Sequence, residues 1–207
     1  MDGTLVDSTA AVERSWRAWS TESGIPLPFG DDSHGRPAEE LVRSIVPTGQ
    51  ADVAVARLRT IEESDTAGIV ALPGVRVLLA SIPNGEWAIV TSCTRELARV
   101  RITAAGLGAP SVFVTFDDVS RGKPDPEPFQ LAARLLGVDP ARCLVVEDAV
   151  AGLVAARAAG CATLAVGDTH TAAELAPYAD VVLDGLEGVR MKRVPGVAGE
   201  GRGIRFA

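Results

Sequence analysis

The sequence predicts a doubly wound α/β protein, a parallel sheet with helices on both faces, carrying a small helical domain inserted near its start. Two observations point to it. From Pro73 onward, short apolar runs alternate with segments of helical period, the pattern of buried strands joined by amphipathic crossover helices. Residues 10–72 instead hold helix-like stretches separated by turns rich in Gly and Pro, with no convincing strand between them. Such a segment reads as an insertion after the first element of the core.

In the insertion, Ala11–Trp19, Ala38–Ile45 and Val53–Ser64 carry the helical spacing. In the core, the apolar run Trp87–Val90 precedes a helical pattern over Arg95–Ala105, Val112–Val114 precedes Pro126–Leu136, and Cys143–Val146 precedes Val150–Ala159. Ala162–Val166 and Val181–Leu183 complete the strands. Gly106, Gly137 and Gly160 each fall just past a helical pattern, where a left-handed residue closes a helix. The expected organisation is a core over 1–9 and 73–188, a helical insertion over 10–72 and a tail over 189–207. The tail holds a Gly-rich stretch and the basic residues Arg190, Lys192, Arg193, Arg202 and Arg205, and is expected to be frayed and solvated.

Composition narrows the function classes. A chain of 207 residues with 47% hydrophobic content suffices for one well-buried domain with a smaller insertion. Twenty Lys and Arg stand against 27 Asp and Glu, a net charge of -7, so the surface field should repel nucleic acid and anionic membranes. The odd set Cys93, Cys143 and Cys161 has no paired spacing, which argues against a disulfide framework and a zinc module. No signal-like segment opens the chain and no apolar run reaches bilayer length. A soluble cytoplasmic protein, monomeric or weakly homodimeric, with a small-molecule partner is expected.

Four motifs carry the chemistry. Asp2-Gly3-Thr4-Leu5-Val6-Asp7-Ser8 stands where the chain would leave the first core strand; Asp-Gly-Thr is by itself an ordinary turn. Ala88-Ile89-Val90-Thr91-Ser92 is a strand ending in two hydroxyls, which either donate to a ligand at the carboxyl edge of the sheet or cap the next helix. Arg121-Gly122-Lys123-Pro124-Asp125-Pro126 sets Lys123 directly before two prolines that stiffen the backbone around it; the alternative is a surface lysine with few packing contacts. Cys143-Leu144-Val145-Val146-Glu147-Asp148-Ala149 places two carboxylates directly after a buried strand, a set of hard oxygen donors suited to Mg2+, unless the acids only complement a helix N-terminus.

In this order, each at a strand end, the motifs closely resemble those of the haloacid dehalogenase-like phosphatases with a helical cap, including sugar-phosphate phosphatases of the 2-deoxyglucose-6-phosphate type. The resemblance runs from Asp2 to about Gly188. It implies a Mg2+-dependent phosphatase of a small phosphorylated metabolite, acting through an aspartyl phosphate. In that family the first motif is Asp-x-Asp-Gly-Thr. Asp2 matches the second Asp, the general acid and base, so the attacking Asp would stand one position before Met1 and is expected from a mis-set start or clipped N-terminus. By the same resemblance Thr91, Ser92 and Lys123 bind the phosphoryl group. Asp148, the attacking Asp before Met1 and the Asp2 carbonyl hold the metal, with Glu147 close by as a direct or water-mediated ligand, while Arg36 and His34 of the cap read the substrate. A phosphomutase of the same cap type shares all four motifs, and a non-catalytic member of the family is the third reading.

Overall fold

The computed structural model describes residues 1–26, 37–167, 170–193 and 202–206. The chain opens with a tight turn. The amides of Leu5 and Val6 donate to the Met1 carbonyl at 2.7 and 3.1 Å, and that of Gly3 to the Val6 carbonyl at 2.9 Å. β1 (Val6–Asp7) follows and pairs antiparallel with β2 (Val70–Ala71). This two-residue ladder, absent from the sequence expectation, frames the insertion between its ends.

Within the insertion, α1 (Thr9–Ser23), α2 (Ala38–Ile45) and α3 (Thr48–Ser64) pack around Trp16, Trp19, Leu41, Val42, Val55 and Leu58. Trp16 and Trp19 meet edge to face at 5.6 Å, and the Trp19 indole donates to the Ala54 carbonyl at 2.9 Å, so the buried ring keeps its polar partner. These helices have an apolar centre of their own.

The core alternates as expected, with α4 (Val75–Ser81), β3 (Ala88–Val90), α5 (Arg95–Ala104), β4 (Val112–Val114), α6 (Glu127–Leu136), β5 (Leu144–Glu147), α7 (Val150–Ala158), β6 (Ala162–Val166), α8 (Ala172–Leu175) and β7 (Val181–Leu183). Gly106, Gly137 and Gly160 follow α5, α6 and α7 with positive φ, closing those helices. The strands form two parallel ladders, β3-β4 and β5-β6-β7, rather than one continuous sheet. Between them lies the Met1–Leu5 turn, whose backbone bonds are made mostly within the turn and to β1, with the Leu72 amide donating to the Leu5 carbonyl at 3.0 Å. Leu5 packs against both the cluster around Ile89 and the cluster around Leu164 and Val166. Both ladders point their carboxyl ends toward the insertion, which places the site.

The tail differs from the sequence expectation. β8 (Val189–Arg193) pairs antiparallel with β9 (Arg202–Phe206), and Val189 is buried in a cluster with Val75 and Leu78. The Met191 amide also donates to the Ser81 hydroxyl at 2.9 Å. Alternation of Val189 and Met191 with Arg190 and Lys192 suits a strand with one apolar face, so this segment docks instead of fraying. Among the described residues no helix is long and apolar enough to cross a membrane, and all three cysteines are free.

Candidate active site

A cavity of about 630 Å³ opens between the carboxyl ends of the strands and the inserted helices. Its core wall includes Asp2, Thr91, Ser92, Lys123, Glu147 and Asp148, and its cap wall includes Trp16, Arg59 and Glu62. Six residues singled out in four separate motifs thus line one space. His34 and Arg36 lie outside the described residues.

At the end of β5, Glu147 and Asp148 are 4% and 5% exposed. Burying adjacent carboxylates demands compensation. Lys123 supplies it for Glu147 through a direct, buried ion pair. Burial pushes the Glu147 carboxyl up, but the ammoniums of Lys123 and Met1 and the hydrogen bonds to it outweigh this and hold it below its ordinary value. Asp148 accepts from the Thr4 hydroxyl at 2.7 Å. Gly152, in the first turn of α7, lets Glu147 lie against the helix, since a Cβ there would fall 2.2 Å from the Glu147 carboxyl carbon.

Lys123 is 6% exposed, donates to the Val90 carbonyl at 3.3 Å and lies 5.1 Å from the centroid of the Phe129 ring. The reading of a turn lysine with few packing contacts is therefore overturned. Proline on its C-terminal side and the α6 start fold the loop inward, and Glu147 provides the charge that makes burial tolerable.

Thr91 follows β3, where its amide donates to the Val114 carbonyl at 3.0 Å. Neither Thr91 nor Ser92 caps the next helix. That role belongs to Thr94, whose hydroxyl accepts from the Leu97 amide. Thr91 is left as a buried hydroxyl at the cavity wall, its oxygen accepting from the Cys93 amide at 3.2 Å.

Asp2 is held on both carboxylate oxygens. Ser8 donates to one at 2.6 Å, and the same oxygen lies 3.1 Å from the Arg101 guanidinium; the Cys93 thiol approaches the other at 3.2 Å. Ser8 stands at the N-cap position of α1 without capping it, because its hydroxyl is committed to Asp2. Burial raises the Asp2 carboxyl, yet Arg101, the Met1 ammonium, Ser8 and Cys93 together bring it below its usual value. Burial and the Asp2 charge push the Cys93 thiol up to about 12, so it is a donor here and not a nucleophile. Arg101 also bonds Glu62 of α3 at 3.2 Å, with Arg101 5% and Glu62 6% exposed.

Sequence reasoning passed over Arg101 and Glu62. Their signal was present: Arg101 falls in phase with Leu97, Ala98 and Ile102 on the buried face of α5, and Glu62 with Ala51, Val55 and Leu58 on that of α3. A charge on an apolar stripe marks either an error of pattern or a buried partner.

A profile of the haloacid dehalogenase-like hydrolases matches residues 1–160. The chain belongs to that family. Hexitol phosphatase A of Escherichia coli (strain K12) is 43% identical over 204 residues, spanning 94% of this chain and 93% of that protein. 2-Deoxyglucose-6-phosphate phosphatase 2 of Saccharomyces cerevisiae is 30% identical over 195 residues, 82% of this chain and 78% of its own. Among solved structures, a hydrolase from Pseudomonas syringae superposes with a TM-score of 0.80 at 28% identity, covering 89% of this chain and 91% of that one.

The haloacid dehalogenase-like fold thus holds its polar residues at one strand edge, and the donor set there can be tested against a divalent cation. Among the described residues no group of three His, Cys, Asp or Glu side chains stands together as a metal cluster. Glu147 and Asp148 line the same cavity as Asp2, and two carboxylates with a backbone carbonyl are hard oxygen donors of the type Mg2+ takes. They fit in kind, and fall short in number of the near-octahedral shell of about six oxygens that Mg2+ prefers.

Proposed function

We propose that this haloacid dehalogenase-like hydrolase is a Mg2+-dependent phosphatase of a small sugar or polyol phosphate, working through an aspartyl-phosphate intermediate in a reducing cytoplasm. The observation that carries the reading is the single cavity shared by Asp2, Thr91, Lys123 and Asp148, joined to 43% identity with a hexitol phosphatase along nearly the whole chain. In this reading the attacking carboxylate stands one position before Met1.

Phosphoryl transfer asks the protein chiefly for positioning and charge. The Thr91 and Ser92 hydroxyls and the Lys123 ammonium hold the phosphoryl oxygens. The free site holds Asp2 ionised, so Asp2 takes up a proton when the phosphate dianion binds; as the attacking carboxylate bonds to phosphorus and the ester P–O bond breaks, it gives that proton to the departing alcohol oxygen. Water then attacks the aspartyl phosphate and returns its proton to Asp2 as inorganic phosphate leaves, so one carboxyl serves both steps. Asp148, Glu147 and the Asp2 carbonyl would hold Mg2+, which when bound neutralises charge on the phosphoryl oxygens. The helices α1–α3 exclude bulk water from the closed cavity and carry the groups that meet the alcohol, as a monomer or weak homodimer suffices to do.

A form extended to include an aspartate before Met1, assayed with Mg2+ on a panel of hexitol, glycerol and sugar phosphates, tests this. Release of inorganic phosphate with a preference for one polyol or sugar ester is expected. An isomeric phosphate ester in place of free phosphate would assign a mutase instead, and inertness toward every ester would remove the catalytic reading.

A further inference from the structure

One buried group in the cavity has no part in the proposed chemistry. Arg101 reaches from α5 to two carboxylates that belong to different parts of the molecule, Asp2 of the first motif and Glu62 of the cap helix α3. Its guanidinium also donates to the Cys93 sulfur at 3.4 Å, and that thiol in turn meets Asp2. Guanidinium is the one cation with a planar array of five donors able to bridge several acceptors at fixed angles.

We propose that Arg101 is the positioning residue for the Asp2 carboxylate, and that Glu62 makes this positioning depend on the cap being docked. The inference rests on the reading of Asp2 as acid and base. Three contacts fix Asp2, but they are not equivalent. Ser8 is a local neighbour six positions along the chain, and Cys93 is a weak donor. Of the three, Arg101 alone brings a charge, and it alone ties Asp2 to a cap helix remote in sequence, α3, through Glu62. A guanidinium held by a single carboxylate can rotate about its stem. Held by Asp2 on one nitrogen and Glu62 on another, at 3.1 and 3.2 Å, it is fixed in a plane, and Asp2 with it. When α3 moves away with the cap, Glu62 releases one side of that clamp. The acid would then be aimed only over a closed cavity, where a misdirected proton or a stray water does least harm.

The charge pattern supports a functional reason for the arrangement. A Met or Leu at position 101 would continue the apolar face of α5, and apolar replacements of buried ion clusters are often neutral or stabilising. Burial still dominates at Glu62, which it raises above its ordinary value in spite of Arg101. What the triad provides is a fixed geometry around Asp2.

The test uses the leaving group. A general acid matters for an alkyl ester, whose alkoxide must be protonated, and little for 4-nitrophenyl phosphate, whose phenolate departs unaided. In the form extended by an aspartate before Met1, kcat/KM is measured on glycerol phosphate and on 4-nitrophenyl phosphate, because this parameter reports the steps through the first P–O cleavage. Asp2→Asn should lower the glycerol phosphate value by roughly 10²–10⁴-fold and the aryl value far less. Arg101→Met should show the same selectivity, on the order of 10²-fold for a displacement of about 1 Å, with Arg101→Lys falling between it and the parent. Glu62→Gln, which keeps shape and packing, should give a smaller loss of the same selectivity and faster amide exchange in α1–α3 than in β5–β7. Equal losses on both esters in Arg101→Met and Arg101→Lys, with Asp2→Asn still selective, would overturn the positioning role and leave Asp2 in place. If Asp2→Asn itself is unselective, the assignment of Asp2 falls and the inference with it. Should Arg101→Met not fold, Arg101→Lys and Glu62→Gln decide the same comparison.

Discussion

Removing the Lys123 ammonium should cost this protein stability as well as turnover. In Lys123→Met the flexible stem keeps its place beside Phe129 while the charge is lost. Glu147, 4% exposed, is then a buried carboxylate without its counter-ion. Breaking a buried pair by deleting one partner costs about 3–5 kcal/mol. For a chain of this size each kcal/mol moves the melting temperature by roughly 2–4 °C, so a fall of about 6–20 °C is expected. The sign of the pH dependence follows from the Glu147 carboxyl. In the parent its folded pKa lies below the ordinary value, so the pair stabilises above about pH 4.3 and that contribution fades as pH falls through the folded value. In the variant burial prevails and the folded pKa rises above the unfolded one. Stability then drops as pH rises past about 4.3. The deficit of the variant should be widest near neutrality and shrink toward pH 4. Thermal melts across that range, with the double variant Lys123→Met/Glu147→Gln as control, read all of this. The double variant should recover most of the loss, because no buried charge is left unpaired. An unchanged melting temperature in Lys123→Met, or a deficit constant from pH 4 to 7, would refute the buried-pair argument.

Three further outcomes follow from the same geometry. Gly152→Ala places a Cβ 2.2 Å from the Glu147 carboxyl carbon and should cost about 1–3 kcal/mol by overpacking, read by denaturant melts, with turnover falling as Glu147 is displaced. Trp19→Ala empties the centre of the insertion, where the ring is 1% exposed; a loss of about 3–5 kcal/mol with amide exchange rising first in α1 and α3 is expected. Asp148→Ala in the extended form should weaken Mg2+ binding measured by calorimetry, and an unchanged affinity would exclude Asp148 as a ligand.

Much of the fold could be read from the residues because strand and helix periods differ strongly here. Val112–Val114, Ala162–Val166 and Val181–Leu183 are strands over the expected residues, each an apolar run too short for a helix. α4, by contrast, went unread: seven residues are too few to display a period. The β8-β9 hairpin was hidden by its composition, since glycines and arginines suggest a solvated tail until Val189 is seen to have a hydrophobic cluster to join. At the site, the catalytic-type residues stood out because they interrupt apolar strands at one edge. Their supports did not. Thr94 rather than Thr91 caps α5, and Ser8 serves Asp2 in place of its own helix; both are choices between equivalent hydroxyls that only tertiary contacts decide. Burial of Lys123 likewise depends on Glu147, 24 residues away, a pairing that no local pattern contains.

The most direct test of the proposed mechanism compares two forms of the chain. One begins at Met1; the other is extended by the strand segment that would end in an aspartate immediately before Met1. Both are assayed for inorganic phosphate released from hexitol, glycerol and sugar phosphates with Mg2+. Asp2 is required for the proton transfers, and Asp7 stands five residues further on at β1, so neither is placed to attack phosphorus as well. The proposed mechanism predicts no significant turnover from the shorter form and a clear activity from the extended one. Equal turnover by the two forms would contradict it, because the attacking group would then lie within residues 1–207 and Asp2 could not be the acid and base assigned here.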